Sequence, residues 1–422
     1  MSKNNIIDVF CFNIEIGKLG FDENKNESFF QFNAAFLASN KYLNIFPFTK
    51  IIKRISNTQV FNKYNNDTFR GLPPMIADSL PDLFGNIIFK TWLESANKNF
   101  KQINVLEQLA YVGNRGMGAL EYRPSKKIAM GATINISEIT KVLEKVIYQK
   151  DTVKYDGLNS EALLNIFKIG TSAGGARPKI LIAENKITEE IIPGDINFSI
   201  DYNHYLVKLS IEENGDYNRE LIEYSYYLIL RTLDITMMPS KLIDGKHFAT
   251  ERFDRMNGEK QHVLTATGIT GWDFKNPEVS SYENLFALAI FLKLPPVQIT
   301  ELFKRMVFNV VFCNTDDHLK NHAFIYGQKN DKWELSPAYD ITYATNPLLN
   351  FTKVSRALSV NNKRVEINLE DVLTIAKANA IKNPLKIIKE INEATVAWVK
   401  IAKETKIPLR IIKAIEKDFK IL

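Results

Sequence analysis

Apolar and polar positions alternate at the start of the chain: Val9, Phe10 and Phe12 are followed by Ile14 and Ile16, and an apolar run returns over 28–32. That period predicts two or three β-strands within 6–32, with a turn near Gly17-Lys18. A further β-rich piece is expected over 45–61. It leads into the turn-forming runs Gly71-Leu72-Pro73-Pro74 and Asp78-Ser79-Leu80-Pro81-Asp82. The period then lengthens. Phe84, Ile87, Ile88 and Trp92 share one helical face, which predicts a helix over 83–100. The glycines of Gly113-Asn114-Arg115-Gly116-Met117-Gly118 resemble a phosphate loop, but no strand–loop–helix frame surrounds them, so they read as a tight turn. Arg123-Pro124-Ser125-Lys126-Lys127 is the expected junction to the next segment. A helix from near Ser137 should bury Ile139, Val142, Leu143, Val146 and Ile147.

Further on, a helix over 161–169 ends at Gly170, and the run Thr171-Ser172-Ala173-Gly174-Gly175-Ala176-Arg177-Pro178-Lys179 opens onto a strand over 180–183. A second strand, 204–209, carries Lys208 among apolar residues, and a helix over 220–233 carries Glu223 near its start. Residues 248–255 read as one more strand. From Tyr282 the pattern is helical, over 282–294, 297–312, 369–380, 384–405 and 408–419. The fourth of these places Leu385, Ile388, Ile391, Ala394, Trp398 and Ile401 on one face. Two short strands, 323–326 and 332–335, interrupt the helices as a hairpin.

Candidate chemistry sits on this scaffold in a particular order. Gly174 and Gly175 allow the backbone to approach an anion, and Arg177 and Lys179 add positive charge. Such a loop standing alone is more often only a turn. Here it is followed by the strand lysine, Lys208, and then by the helix glutamate, Glu223. Loop, lysine and glutamate in that sequence are the nucleotide-binding set of a kinase, in which lysine grips the phosphates and glutamate holds lysine. Asp316 and Asn321 follow in D-x-x-x-x-N spacing within Asn314-Thr315-Asp316-Asp317-His318-Leu319-Lys320-Asn321, and the hairpin carries the chain to Tyr339-Asp340-Ile341. Asp316 would accept a hydroxyl proton, while Asn321 and Asp340 offer hard oxygens to Mg²⁺. The backbone of 251–253 could meet an adenine edge and Phe253 could stack on the base, with simple core packing an equal alternative for that ring. Two other readings of 314–322 stay open. Asp316, Asp317, His318 and His322 could ligate a transition metal for hydrolysis, or these residues could be turn and cap residues.

Composition narrows the class. A chain of 422 residues supports two or three domain-sized units, and 24% charged with 45% hydrophobic residues is ordinary for a globular protein. The net charge of +6 permits an acidic partner without demanding one. Cys11 and Cys313, each beside apolar residues, read as buried thiols of a reducing compartment. With no signal-like start and no apolar run of membrane-spanning length, the expected location is the cytosol.

Jointly, these motifs resemble the HipA-family serine/threonine kinases, toxins of bacterial toxin–antitoxin systems. The resemblance spans nearly the whole chain, from Gly71-Leu72-Pro73-Pro74 and Asp78-Ser79-Leu80-Pro81-Asp82 through Gly118-Ala119-Leu120, the 174–179 loop and Glu251-Arg252-Phe253-Asp254-Arg255 to Asp316–Asn321 and Tyr339-Asp340-Ile341. It implies an α+β, bilobal, protein-kinase-like fold: an amino-terminal α+β subdomain (1–130), a kinase N-lobe (131–255) and a helical C-lobe (256–422). Asp316 would be the catalytic aspartate, and Asn321 and Asp340 the Mg²⁺ ligands. Gly174, Gly175, Ala176, Arg177, Pro178, Lys179 and Lys208 would hold ATP phosphates. Glu251, Arg252 and Phe253 would lie at the adenine, with His318, Leu319, Lys320 and Tyr339 completing the nucleotide site. Ser172, with Thr171 beside it, matches a serine that family members autophosphorylate to shut themselves off. The implied substrate is an aminoacyl-tRNA synthetase, glutamyl-tRNA synthetase being the first guess. The implied partner is a small helix-turn-helix antitoxin that binds DNA, leaving this chain to reach DNA only through it. A third possibility keeps the fold but makes the chain a catalytically weak scaffold for that antitoxin. One departure stands out: Asp317 adjoins the presumed base where a small residue is common.

Overall fold

The structure is a computed structural model that describes residues 6–81, 86, 89–91, 93, 103–125, 135–148, 177–194, 199–211, 217–348 and 354–422. The chain divides into two compact units that cut across the three consecutive segments expected. One comprises Met1–Glu213, Ala249–Leu264 and Gly268–Gly271, the other Asn214–Phe248, Thr265–Thr267 and Trp272–Leu422. The division is interleaved because the chain leaves the first unit for a helix at 219–232 and then returns to it from residue 249.

In the first unit, Ile6–Cys11, Ile14–Asp22 and Glu27–Phe32 form an antiparallel meander. Gln59–Phe61 and Leu120–Arg123 complete its two edges. The first turn falls at Phe12-Asn13, whose φ values of 50° and 61° are those of a tight two-residue hairpin. Gly17 lies inside a strand instead of at the expected turn. It is a glycine because a Cβ there would meet the Gln31 carbonyl oxygen at 2.4 Å and the Phe30 ring at 2.6 Å. Only Gln59–Phe61 of the expected β-rich piece at 45–61 is a strand. Within that piece the Gln59 side chain occupies the backbone groups of Lys53, while Arg54 reaches back to the segment before it. Arg54 Nη2 donates to the carbonyls of Phe36 and Lys41, and the Gln59 amide brackets both the N–H and the C=O of Lys53. Most of the helix expected at 83–100 lies outside the described residues, although Phe89 and Leu93 within it are fully buried. Helix Val105–Val112 starts in a capping box between Asn104 and Glu107 and ends at Gly113. Ile139 and Leu143 of helix Ile136–Tyr148 are buried as expected. Strand Lys179–Asn185 pairs antiparallel with Tyr202–Lys208 and with Ile191–Pro193.

The second unit is mainly helical. Helix Arg219–Thr232 is capped by Asn218, and its Tyr226 hydroxyl donates to the Phe312 carbonyl at 2.7 Å. That contact anchors the helix at the end of Pro296–Val311, inside an aromatic cluster of Tyr226, Phe308, Phe312, Trp398 and Phe419. The helix expected over 384–405 is in fact two, Pro384–Ala394 and Trp398–Glu404, separated by a 3₁₀ turn at Thr395–Ala397. The Thr395 hydroxyl bonds back to the Asn392 carbonyl at the break. Trp398 stays fully buried, whereas Leu385 and Val396 are exposed. Among the described residues, no helix is long and apolar enough to cross a membrane.

His262 and His322 are buried, and desolvation lowers each pKa to about 4. The folded state therefore holds them neutral where the unfolded chain, near 6.5, would be protonated. Their contribution is complete above about pH 6.5 and is lost as pH falls from there toward 4, at about 1.4 kcal/mol per group per pH unit. His204 and His247, also lowered to about 4, act in the same direction. Thermal melting should accordingly drop steeply between pH 7 and pH 5; a flat profile would contradict this placement.

Candidate active site

The stretch 314–321 takes its shape from the helix before it. Pro296–Val311 buries Leu302, Phe303, Met306, Val307 and Val310, but it also buries Arg305 and Asn309. The helix ends at Phe312, and Cys313, at φ 55°, turns the chain. Asn309 Nδ2 donates to the Tyr282 hydroxyl at 3.0 Å and Asn314 Nδ2 donates to Asn309 Oδ1 at 3.0 Å. The Tyr282 hydroxyl then donates to Asp317 Oδ2 at 2.7 Å. Arg356 Nη2 meets the same oxygen at 2.8 Å and the Asn314 carbonyl at 3.2 Å. Residues 356–358 run alongside, with Ala357 N–H on the Thr315 carbonyl and Leu358 N–H reaching toward Asp317 Oδ1.

This network separates the two neighbouring aspartates. The His318 N–H bonds the Asp316 carbonyl at 2.9 Å, so the chain turns tightly at Asp317. Asp317 points inward and is 1% exposed, both of its oxygens engaged, while Asp316 is exposed. Arg356→Met should therefore leave Asp317 as a buried, uncompensated carboxylate and destabilise the protein by about 3–5 kcal/mol. Chemical denaturation reads this directly; a change below about 1 kcal/mol would mean the pair carries little.

Past Asp317 the chain closes on itself. Asn321 Nδ2 donates to the Asp316 carbonyl at 2.8 Å, leaving Oδ1 as the amide atom able to meet a cation. Leu319–Asn321 forms a 3₁₀ turn, and the hairpin Ala323–Gly327/Lys332–Leu335 follows. The Tyr339 hydroxyl then donates to the Lys320 carbonyl at 2.8 Å, fastening the segment before Asp340 to the 319–321 turn. Asp340 itself has φ 57°, a conformation in which aspartate and asparagine are tolerated better than most residues. His318 packs its ring against Phe274 at 4.9 Å, and its buried Nδ1 has no hydrogen-bond partner among the described groups. Lys320 Nζ lies 5.7 Å from the same Phe274 ring.

The proposed transition-metal cluster does not assemble. Among the described residues, no group of three or more His, Cys, Asp or Glu side chains is placed to hold a metal. Asp317 is committed to Tyr282 and Arg356, and His322 is buried against the Tyr282 ring at 5.8 Å.

In the first unit, Lys179 and Lys208 are directly opposed partners on adjacent antiparallel strands. They share a sheet face, and both are buried, at 3% and 7% exposure. Arg177 and Pro178 lead into this pair, and the Pro178 carbonyl accepts from Leu209 N–H. The expected phosphate-loop residues Gly174, Gly175 and Ala176, and the hydroxyls of Thr171 and Ser172, lie outside the described residues. The strand expected over 248–255 ends at Glu251. Arg252 N–H bonds the His204 carbonyl at 2.8 Å, and its side chain grips Asp254, so neither its N–H nor its guanidinium is presented to a base. Phe253 is buried at 9% exposure. In the second unit, Glu223 is buried on helix Arg219–Thr232.

Sequence reasoning missed Tyr282, Asn309, Arg356 and the pairing of Lys179 with Lys208. The polar Arg305 and Asn309, one helical turn apart among the apolar positions Leu302, Phe303, Met306, Val307 and Val310, were the available signal for the first group.

Comparisons with known proteins bear on the family and the fold. A sequence model of the HipA N-terminal domain matches residues 7–123, and one of the HipA-like C-terminal domain matches residues 171–399. The chain belongs to the HipA family. Among solved structures, HipA of Shewanella oneidensis MR-1, from a toxin–antitoxin complex of HipA, HipB and operator DNA, aligns with a TM-score of 0.61 at 14% identity. The alignment covers 97% of this chain and 95% of that one, which establishes a common HipA-like α+β fold. The proinflammatory kinase CtkA of Helicobacter pylori aligns over 51% of this chain and 88% of its own, with a TM-score of 0.34 and 13% identity. No curated protein sequence matches the chain.

Proposed function

We propose that this HipA-family chain is an ATP-dependent serine/threonine protein kinase and the toxin of a toxin–antitoxin pair. The observation that carries the reading is the separation of Asp316 from Asp317. Asp316 is exposed, with its backbone carbonyl held by Asn321 Nδ2, and the Asp317 carboxylate is locked into the scaffold. Asp316 would accept the proton of a protein hydroxyl as it attacks. Lys179 and Lys208, opposed on neighbouring strands, would bind phosphate oxygens. Glu223 would steady Lys208, and Glu251 with Phe253 would frame the base. The buried Nδ1 of His318 offers a further polar contact for the nucleotide. The donor set Asn321 Oδ1 and Asp340 carboxylate, hard oxygens both, suits Mg²⁺ better than zinc. When bound, Mg²⁺ would supply charge neutralisation to the transferring phosphoryl group.

The expected partner is a small helix-turn-helix antitoxin resembling HipB, because the Shewanella HipA was solved with HipB on operator DNA. The expected substrate class is an aminoacyl-tRNA synthetase. Ser172, or Thr171 beside it, is the proposed self-modification site, where about −1.5 to −2 added charges beside the ATP phosphates would repel the nucleotide. Incubating the protein with Mg²⁺ and ATP, then mapping phosphopeptides, tests both proposals. Phosphate on the 171–172 hydroxyls, or on an added synthetase, is expected. No transfer to any protein hydroxyl would overturn the kinase reading, whereas transfer confined to other segments would overturn only the regulatory one.

A further inference from the structure

Asp254 is 0% exposed and sits at the centre of a charge cluster in the first unit. Arg252 approaches it side-on through two bonds, Nε to Oδ1 at 2.9 Å and Nη2 to Oδ2 at 2.8 Å. Arg255 Nη1 adds a third bond to Oδ2 at 2.8 Å. The fourth donor comes from the amino-terminal subdomain: Gly118 N–H meets Oδ2 at 2.8 Å. Arg255 then reaches across to the same turn, giving Nη1 to the Gly118 carbonyl and Nη2 to the Gly116 carbonyl at 2.8 Å. A second tie runs beside the first, since Lys260 Nζ bonds the Asn114 carbonyl and Glu121. The surrounding cations hold the Asp254 carboxyl well below the usual carboxylate range.

The turn is shaped for this contact. Gly118 has φ 76°, and a Cβ on it would meet the Val263 backbone at 3.1 Å, so a side chain would push the turn away from Asp254. On the other side, Arg252 N–H is fixed to the His204 carbonyl of strand Tyr202–Lys208, four residues from Lys208 on the same strand. Of the three residues before Asp254, Glu251 and Phe253 are those assigned to the nucleotide base.

We infer that Asp254 is a positioning residue for the nucleotide: it locks the 251–253 segment in register by fastening it to the Gly116–Gly118 turn of the amino-terminal subdomain. This rests on the nucleotide-binding reading above. The amino-terminal subdomain is then a working part of base recognition, acting through Asp254 without touching the nucleotide.

Asp254→Asn keeps the side-chain shape and removes the charge. Arg255→Lys keeps the charge and removes the fork that spans Asp254 and both glycine carbonyls. Steady-state kinetics with ATP and with GTP, on the full chain, separate positioning from simple destabilisation. A merely structural role lowers the active fraction, and so kcat, with KM and the ATP-to-GTP preference intact. The inference expects KM for ATP to rise at least about tenfold in folded Arg255→Lys, by more than kcat falls, with the preference for ATP over GTP compressed. If Asp254→Asn fails to fold, Arg255→Lys still decides. Unchanged KM and unchanged base preference in folded variants would overturn the inference while leaving the kinase reading standing. Failure of the wild-type protein to bind either nucleotide would overturn that reading, and the inference with it.

Discussion

Asp316→Asn is expected to slow phosphoryl transfer by about 10²–10⁴ while leaving stability within about 0.5 kcal/mol of the parent. Asp316 is exposed, and its backbone carbonyl, not its carboxylate, is what Asn321 and His318 N–H hold. The 314–321 stretch should therefore keep its shape when the charge is removed. Asp317→Asn should do the reverse in part. It weakens the bonds from Tyr282 and Arg356, lowers stability, and reduces activity only through the scaffold. Rates measured under single-turnover conditions, together with denaturation curves, separate the two. Full activity in Asp316→Asn, or selective loss of activity in Asp317→Asn at unchanged stability, would reassign the base.

Asp340→Asn is expected to lower Mg²⁺-dependent transfer by at least about 10² and to raise the Mg²⁺ concentration needed for half-maximal rate. Asparagine tolerates the left-handed backbone found at φ 57°, so the substitution tests the charge and not the conformation. Alanine there would confound the two effects by adding backbone strain of about 1–2 kcal/mol. The Tyr339–Lys320 bond keeps this segment against the 319–321 turn in either case. A variant that transfers phosphate at the parental rate across a Mg²⁺ titration would remove Asp340 from the site.

What the sequence disclosed followed from regular patterning. Alternation over 6–32 located the first strands, and the 3.6-residue period located Pro296–Val311. Features that depend on side chains meeting across long sequence separations did not show. Gly17 sits within a strand because Phe30 crosses it, a contact that local sequence does not encode. Residues 45–58 carry apolar residues at strand-like density, but the Gln59 side chain takes up the N–H and C=O of Lys53 in place of a neighbouring strand. The break at Thr395–Ala397 was hidden because the apolar period continues through it. In the site, the role of Asp317 was illegible without Arg356, thirty-nine positions away. The pairing of Lys179 with Lys208 needed the strand register.

Lys208 and Asp340 are both proposed to serve the binding of ATP with Mg²⁺. Calorimetric titration of a non-hydrolysable ATP analogue, with and without Mg²⁺, tests it on the parent, Lys208→Met and Asp340→Asn. The account predicts Mg²⁺-enhanced binding by the parent, weaker binding by Lys208→Met, and loss of the Mg²⁺ enhancement in Asp340→Asn. Binding that ignores both substitutions, or no binding by the parent at any Mg²⁺ concentration, would contradict it.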